Sequence, residues 1–298
     1  MSHITSRIYE TKKDLQTIID LTNRVRPPLH RNDYPNRVDL EEAFASAIVR
    51  KNIRLWFDDS LPVAWVYVDN FNNLVLELDL QYATRIGAEI MEWAEACIRR
   101  NLSRKQKGTL YANCREDYAE RIAFLKQYGF SQREETTITL IRPLSMAISN
   151  PELPPGFVIR PLTGKQEAEA VAAMHRASLG TEYMTTENRL IIMSTGGYDP
   201  ALDLVAVAPD GSIAANCICS VNPQTGVGFT DPVSTHPQFQ RMGLARALLL
   251  TGLMLLKERG MTYARLGTSG ENIRMQKTAE STGFRIESKT IWFSKEVN

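Results

Sequence analysis

Alternating apolar runs bounded by turn residues occur at two separate places along the chain. Leu55-Trp56-Phe57, the turn Asp58-Asp59-Ser60 and then Val63 to Val68 predict a β-hairpin. Leu204 to Ala208, the turn Pro209-Asp210-Gly211-Ser212 and Ile213 to Val221 predict another. An amphipathic stretch from about Ala88 to Arg100 predicts a helix, with a counterpart from about Leu244 to Arg259. In the latter, Leu244, Leu248, Leu249, Leu255 and Leu256 form one apolar stripe. Later helices run into Tyr128-Gly129-Phe130 and Thr282-Gly283-Phe284, and these Gly-Phe pairs lie 154 positions apart. The hairpin turns are offset by about the same amount, so the pattern predicts two copies of one fold.

Between the copies, Pro143-Leu144-Ser145 through Pro151-Glu152-Leu153-Pro154-Pro155-Gly156 reads as a linker. Its prolines remove backbone donors and fix φ, so neither helix nor sheet continues through it. The copies are placed at 1–143 and 156–298, with 144–155 joining them. Each reads as strand, helix or helices, hairpin, strand, helix, strand, helix, strand. In the second copy the expected elements are Phe157–Pro161, Lys165–Leu179, Thr186–Ser194, Asp203–Ala208 and Ser212–Val221. Val227–Thr235, Leu244–Arg259, Tyr263–Thr268, Asn272–Ser281 and Arg285–Phe293 complete it. Strands interleaved with helices predict an α/β (α+β layered) architecture, a mixed sheet flanked by helices.

Composition narrows the functional classes. The 298 residues are 43% hydrophobic and 23% charged, ordinary globular usage with enough apolar material for two cores. Thirty-five Lys and Arg against 34 Asp and Glu leave a formal charge of +1, so no basic footprint for nucleic acid is expected. No apolar run approaches the ~18 residues of a spanning helix, and no membrane partner is expected. The polar start, MSHITSRIYETKKD, has no leader-like apolar segment, and the four cysteines have no framework spacing. These features predict a soluble, cytoplasmic protein, monomer or homodimer, that handles a small molecule and no metal.

The candidate chemistry lies in Val233-Ser234-Thr235-His236-Pro237-Gln238-Phe239-Gln240-Arg241-Met242-Gly243-Leu244-Ala245. A strand closed by Pro237 turns through Gln240 to Ala245 into a long helix. Such a helix start presents unpaired backbone N–H groups and the positive end of the dipole, a natural diphosphate site. Gly243, with no Cβ, permits close approach, and Arg241 can add a charge-assisted contact. The turn is neither GxGxxG nor GxxxxGK[ST].

The Q-x-x-G-x-A pattern after a strand ending V-x-T-H-P resembles the acyl-CoA signature of the GNAT acetyltransferases. Asn272-Ile273-Arg274-Met275 and the helix ending Thr282-Gly283-Phe284 resemble a second family segment. Tyr198 to Gly211 looks like the family's second and third strands, nearest in wording to tandem-GNAT proteins of the mycothiol synthase branch. The resemblance covers about 156–296 through motifs, and 1–142 only through the repeat. It implies two tandem GNAT-like domains with splayed sheets and acetyl-CoA as co-substrate. It further implies direct transfer to the amine of a small acceptor. Carried over, Val233 and Thr235 supply strand contacts to the pantetheine arm. Gln240, Arg241, Met242, Gly243, Leu244 and Ala245 form the pyrophosphate turn, and Asn272 faces the cofactor from the opposite arm.

An ammonium acceptor must lose a proton before attack. The resemblance implies an acidic residue on the fourth strand, and Asp231, just before Pro232, is the candidate base, acting through water; its other reading is a turn or capping carboxylate at a bulge. Pro232 cannot donate to a ladder and predicts that bulge or an edge. The family often protonates the leaving thiolate with a Tyr seven residues after the Asn, but that position here is Ala279. Ser281 and Tyr263 are the nearby substitutes, and the departure raises the alternative of a CoA-binding sensor with little turnover. In the first copy, Leu74 to Tyr82 runs into Ala83-Thr84-Arg85-Ile86-Gly87-Ala88, where no signature can be placed, so that copy reads as degenerate. Cys217 and Cys219 read as buried small side chains, His175 and His236 as surface, cap or loop residues. Trp56, Trp65, Trp93 and Trp292 read as core. Glu182 and Tyr183, between the first two helices of the second copy, read equally as acceptor contacts or plain loop.

Overall fold

The computed structural model describes residues 3–100 and 107–298. Met1 and Ser2, which open the polar N-terminal stretch, lie outside the described residues. The chain divides into two compact units, Met1–Thr136 with Lys289–Asn298, and Thr137–Ser288.

The first unit contains β1 (Ile4–Ile8), α1 (Lys12–Val25), α2 (Arg37–Ala45), α3 (Ala47–Lys51), β2 (Ile53–Asp58) and β3 (Leu61–Val68). It continues with β4 (Leu74–Leu78), α4 (Ala83–Arg99), β5 (Gly108–Arg115) and α5 (Ala119–Gln127), and β6 (Ser131–Pro143) begins there and runs into the second. Strands β1 to β4 form an antiparallel meander in that order. The expected hairpin is present, with Asp59 in its turn at φ 52°. Between β4 and β5 a single parallel bridge, Asn73 to Tyr111, replaces a ladder. The fourth strand is shorter than its hydrophobic run predicts. It ends at Leu78 because the Asp79 side chain accepts from Gln81 N and starts a 3-10 turn, which leads directly into α4.

The second unit contains β7 (Val158–Pro161), α6 (Ala168–Leu179), α7 (Thr186–Ile192), β8 (Asp203–Val207), β9 (Ile213–Asn222) and β10 (Val227–Thr235). It ends with α8 (Leu244–Glu258), β11 (Tyr263–Ser269), α9 (Ile273–Ser281) and the start of β12 (Arg285–Val297). Its strand order is β6-β11-β10-β9-β8-β7, with β10 and β11 parallel. Helix α8 packs closely on this sheet. A Cβ on Gly252 would meet Cys219 Sγ at 2.7 Å, and one on Gly228 would meet Leu256 at 2.6 Å. Cys217 and Cys219 are buried under this helix, their sulfurs 3.7 Å apart.

The cut between units differs from the proline-rich boundary expected from the sequence, because the last strand of each repeat is exchanged. Strand β12 pairs antiparallel with β5, from Thr290–Arg115 to Val297–Gly108, and its Ile291, Phe293 and Val297 complete the first unit's core. Strand β6 pairs antiparallel with β11, from Tyr263–Pro143 to Ser269–Thr137, and its Leu140 joins the second core. Each exchanged strand covers an edge that would otherwise expose a row of unpaired backbone groups. On β6, buried Arg142 donates from Nε to the Thr282 carbonyl at 2.7 Å and from a terminal nitrogen to the Ala147 carbonyl at 2.7 Å. Gly283, at φ 92°, is required beside it, since a Cβ there would stand 2.8 Å from Arg142 Nε.

Candidate functional site

Strands β10 and β11 run side by side and then part. Their parallel ladder covers only Val227–Phe229 against Tyr263–Arg265. Beyond it, β10 stays paired with β9, with a bulge between Thr230 and Val233, the place where Pro232 offers no N–H. Past the bulge, His236 N donates to the Ala214 carbonyl at 2.9 Å. Because antiparallel pairs alternate, Ser234 and Asn216 form the next hydrogen-bonded pair, and the backbone groups of Val233 and Thr235 point away from β9. They therefore point into the gap between β10 and β11. The Ser234 hydroxyl and the Asn216 side-chain oxygen, both buried, lie 2.5 Å apart and fix this stretch.

After β10, a 3-10 turn at Pro237–Phe239 leads into Gln240, whose side-chain amide reaches the Thr235 carbonyl at 3.5 Å. His236 accepts from Gln238 N through Nδ1 at 3.3 Å, which makes it the cap of this turn. Arg241 and Gly243 both adopt left-handed conformations, at φ 67° and 81°. Gly243 is the N-cap of α8, and no side chain caps that helix end. The first-turn N–H groups of Leu244, Ala245 and Arg246 thus point out of the helix end with the positive dipole behind them. Nothing lies within 4 Å of where a Gly243 Cβ would be, so the space in front of this turn is open. Leu244 is buried, so only its backbone can serve a ligand, whereas Met242 is exposed.

Asp231 lies in the bulge, and its Oδ2 accepts the Gly267 N–H at 2.8 Å, across the two diverging strands. Gly267 was not singled out in the sequence; a glycine inside an apolar strand is the signal that marks it. Asn272 follows β11 at the same open end, where its Oδ1 caps α9 by accepting from Met275 N at 3.1 Å. The structure thus brings Asp231, Val233, Thr235, the Gln240–Ala245 turn and Asn272 around one gap.

The substitutes for a thiolate acid are not brought there. Ala279 is fully buried in the second core, and its methyl group carries no proton to give. The Ser281 hydroxyl is committed to the Thr278 carbonyl at 2.7 Å. Tyr263 begins β11 at the closed end, four residues from Gly267 and so about 13 Å along the strand. His175, on α6, is half-buried, and burial and then the nearby Arg189 cation hold its pKa below the ordinary value. Tyr183 is exposed on the loop between α6 and α7.

Residues 169–284 match the model of the Acetyltransferase (GNAT) family. The second unit therefore carries the match to the GNAT acetyltransferase family. Over 174 residues, 57% of each chain, the sequence is 31% identical to the mycothiol acetyltransferase of Saccharopolyspora erythraea. The chain spans about half the length of the curated relatives it matches. In fold, the GNAT likeness extends to the whole chain. A tandem GNAT protein from the clavulanic acid biosynthesis pathway, solved without acetyl-CoA, superposes with a TM-score of 0.75 at 14% identity, covering 100% of this chain and 99% of that one. A GCN5-related N-acetyltransferase from Sphaerobacter thermophilus gives a TM-score of 0.72 at 18% identity, with 99% and 96% covered. The expected architecture of two tandem GNAT-like domains is therefore the observed one. Among the described residues no helix is long and apolar enough to cross a membrane, and no group of three or more His, Cys, Asp or Glu could hold a metal ion.

Proposed function

We propose that the second unit transfers an acetyl group from acetyl-CoA to a primary amine of a small acceptor, in the cytoplasm. The observation that supports this most is a continuous run of ligand-seeking backbone. Val233 and Thr235 turn their amide groups into the gap, and the uncapped α8 N-terminus waits at its end. Arg241, Met242 and Gly243 shape that turn, and the N–H groups of Leu244 to Arg246 suit a diphosphate. Asn272 borders the gap from the side of β11.

In the reaction, the acceptor's amine nitrogen attacks the thioester carbonyl. A C–N bond forms, the C–S bond breaks, and CoA leaves as its thiolate, while the nitrogen sheds a second proton on becoming an amide, and that proton, passed through solvent, converts the thiolate to free thiol. Asp231 takes the proton that the acceptor ammonium must lose, through water. The buried Ala279 gives the thiolate no protein acid from that position and favours a second reading, a CoA-binding sensor that turns over poorly. Release of free thiol from acetyl-CoA across a panel of primary amines separates the two. Amine-dependent release supports the transferase, and binding without release for every amine supports the sensor.

A further inference from the structure

In the first unit, the gap between β4 and β5 contains an arginine. Asp79 N donates to the Val63 carbonyl at 2.9 Å, so the alternation of antiparallel pairs turns the Leu76 carbonyl away from β3, toward β5. Arg121, from α5, fills that direction. It donates to the Leu76 carbonyl at 2.6 Å and to Glu77 Oε2 at 2.8 Å, and its guanidinium lies 5.5 Å from the Tyr118 ring centroid. Arg26, the C-cap of α1, donates from Nε to Glu77 Oε1 at 2.7 Å. All three charged side chains are at least nine-tenths buried.

The repeat gives each of these residues a counterpart. Arg26, Glu77 and Arg121 correspond, at the same spacing of 154, to Gly180, Asp231 and Met275. The elements agree with that spacing: Gly180 is the C-cap of α6, as Arg26 is of α1, and Arg121 and Met275 are the third residues of α5 and α9. The first copy therefore holds its gap shut with two cations on one carboxylate. At the same positions the second copy has a residue with no side chain and an uncharged thioether. The acyl-CoA turn differs as well, since residues 236–243 separate β10 from α8, whereas only 79–82 separate β4 from α4.

We infer that the residue at the third position of the helix after the gap decides which copy takes acyl-CoA: Arg121 occupies the first gap from within, Met275 leaves the second open, and the whole chain binds one CoA. The inference rests on the acyl-CoA reading of the second unit and adds which residue permits it. Titration calorimetry of the full chain with CoA tests it, using wild type, Met275→Arg and Met275→Leu. One equivalent per chain is expected. Met275→Arg weakens it by at least about thirtyfold, as for loss of one or two backbone hydrogen bonds, and Met275→Leu stays within about threefold. Gly243→Glu supplies a second measurement should Met275→Arg not fold; it removes the single equivalent. Two equivalents in the wild type, wild-type affinity in Met275→Arg, or an equivalent that survives Gly243→Glu would overturn the inference. No binding to the folded wild type would instead overturn the acyl-CoA reading itself, and the inference with it.

Discussion

The carboxylate of Asp231 holds the backbone N–H of Gly267 at 2.8 Å, joining β10 to β11 where the two strands part. This contact gives Asp231 a structural task beside the one proposed for it in catalysis, and substitution can separate the two. Asp231→Asn keeps an oxygen to accept the Gly267 N–H but cannot take a proton at neutral pH. Turnover should fall by about a hundredfold or more, while CoA affinity stays within about threefold. Asp231→Ala removes both functions and should also weaken CoA binding. Steady-state kinetics and calorimetry on the two variants check this, and equal turnover in Asp231→Asn and wild type would remove Asp231 as the base.

Gly243 is constrained by backbone rather than by neighbours. Its φ of 81° is strained for a residue with a Cβ, at about 1 kcal/mol, yet the space beside it is open. Gly243→Ala should therefore fold with a slightly lower melting temperature and weaker CoA binding. Gly243→Glu should also fold, but it sets a negative charge where a diphosphate would sit and should abolish binding. Calorimetry with acetyl-CoA distinguishes these outcomes.

The exchanged strands make the C-terminus part of the first unit. Deleting residues 289–298 removes the partner of β5 along its whole length and strips Ile291, Phe293 and Val297 from the first core. Hydrogen exchange should then accelerate in β5, while β8 and β9 keep their protection. The reverse pattern would mean that β12 stabilises the second unit instead.

Most of the second repeat was legible in the sequence because its signals are local. Turn residues, a 3.6-residue apolar stripe and a proline in β10 each fix structure within a few positions, and the bulge at Pro232 is where the missing N–H requires it. The strand exchange was not legible. Strands β6 and β12 alternate in the same way whichever edge they join, and strand pairing is decided by contacts far apart in the chain. The Arg26–Glu77–Arg121 group was missed for the same reason, since its partners are separated by 51 and 44 residues. Its local sign was a glutamate inside the apolar run Leu74-Val75-Leu76-Glu77-Leu78. The sequence marks Asn272 and Ala279 along the chain, but only the fold shows that the Asn272 side chain caps α9 and that Ala279 is buried in the second core.

Acid should unfold the protein through its paired carboxylates. Against the opposing effect of burial, the Arg7 guanidinium and the Glu10 and Thr11 N–H groups lower the Asp14 pKa from 3.8 to about 2. Arg160 lowers Glu167 from 4.5 to about 2, and despite burial Arg26 and Arg121 hold Glu77 below its ordinary value. For a group whose folded pKa is depressed, the stabilisation is present above the unfolded pKa and is lost as pH falls through the folded one. Melting temperature should hold from pH 7 to about 5 and then drop toward pH 2. Asp14→Asn should be less stable at pH 7 and show a shallower drop, which thermal melts across that range would reveal.

Hydrogen exchange of the full chain with and without acetyl-CoA tests the central claim most directly, because it reads the backbone groups on which the site is built. The ligand should protect the amides of Val233 and Thr235 and those of residues 241–246, and leave β4 of the first unit unchanged. Unchanged exchange in the second unit, or protection confined to β4 and β5, would contradict the account.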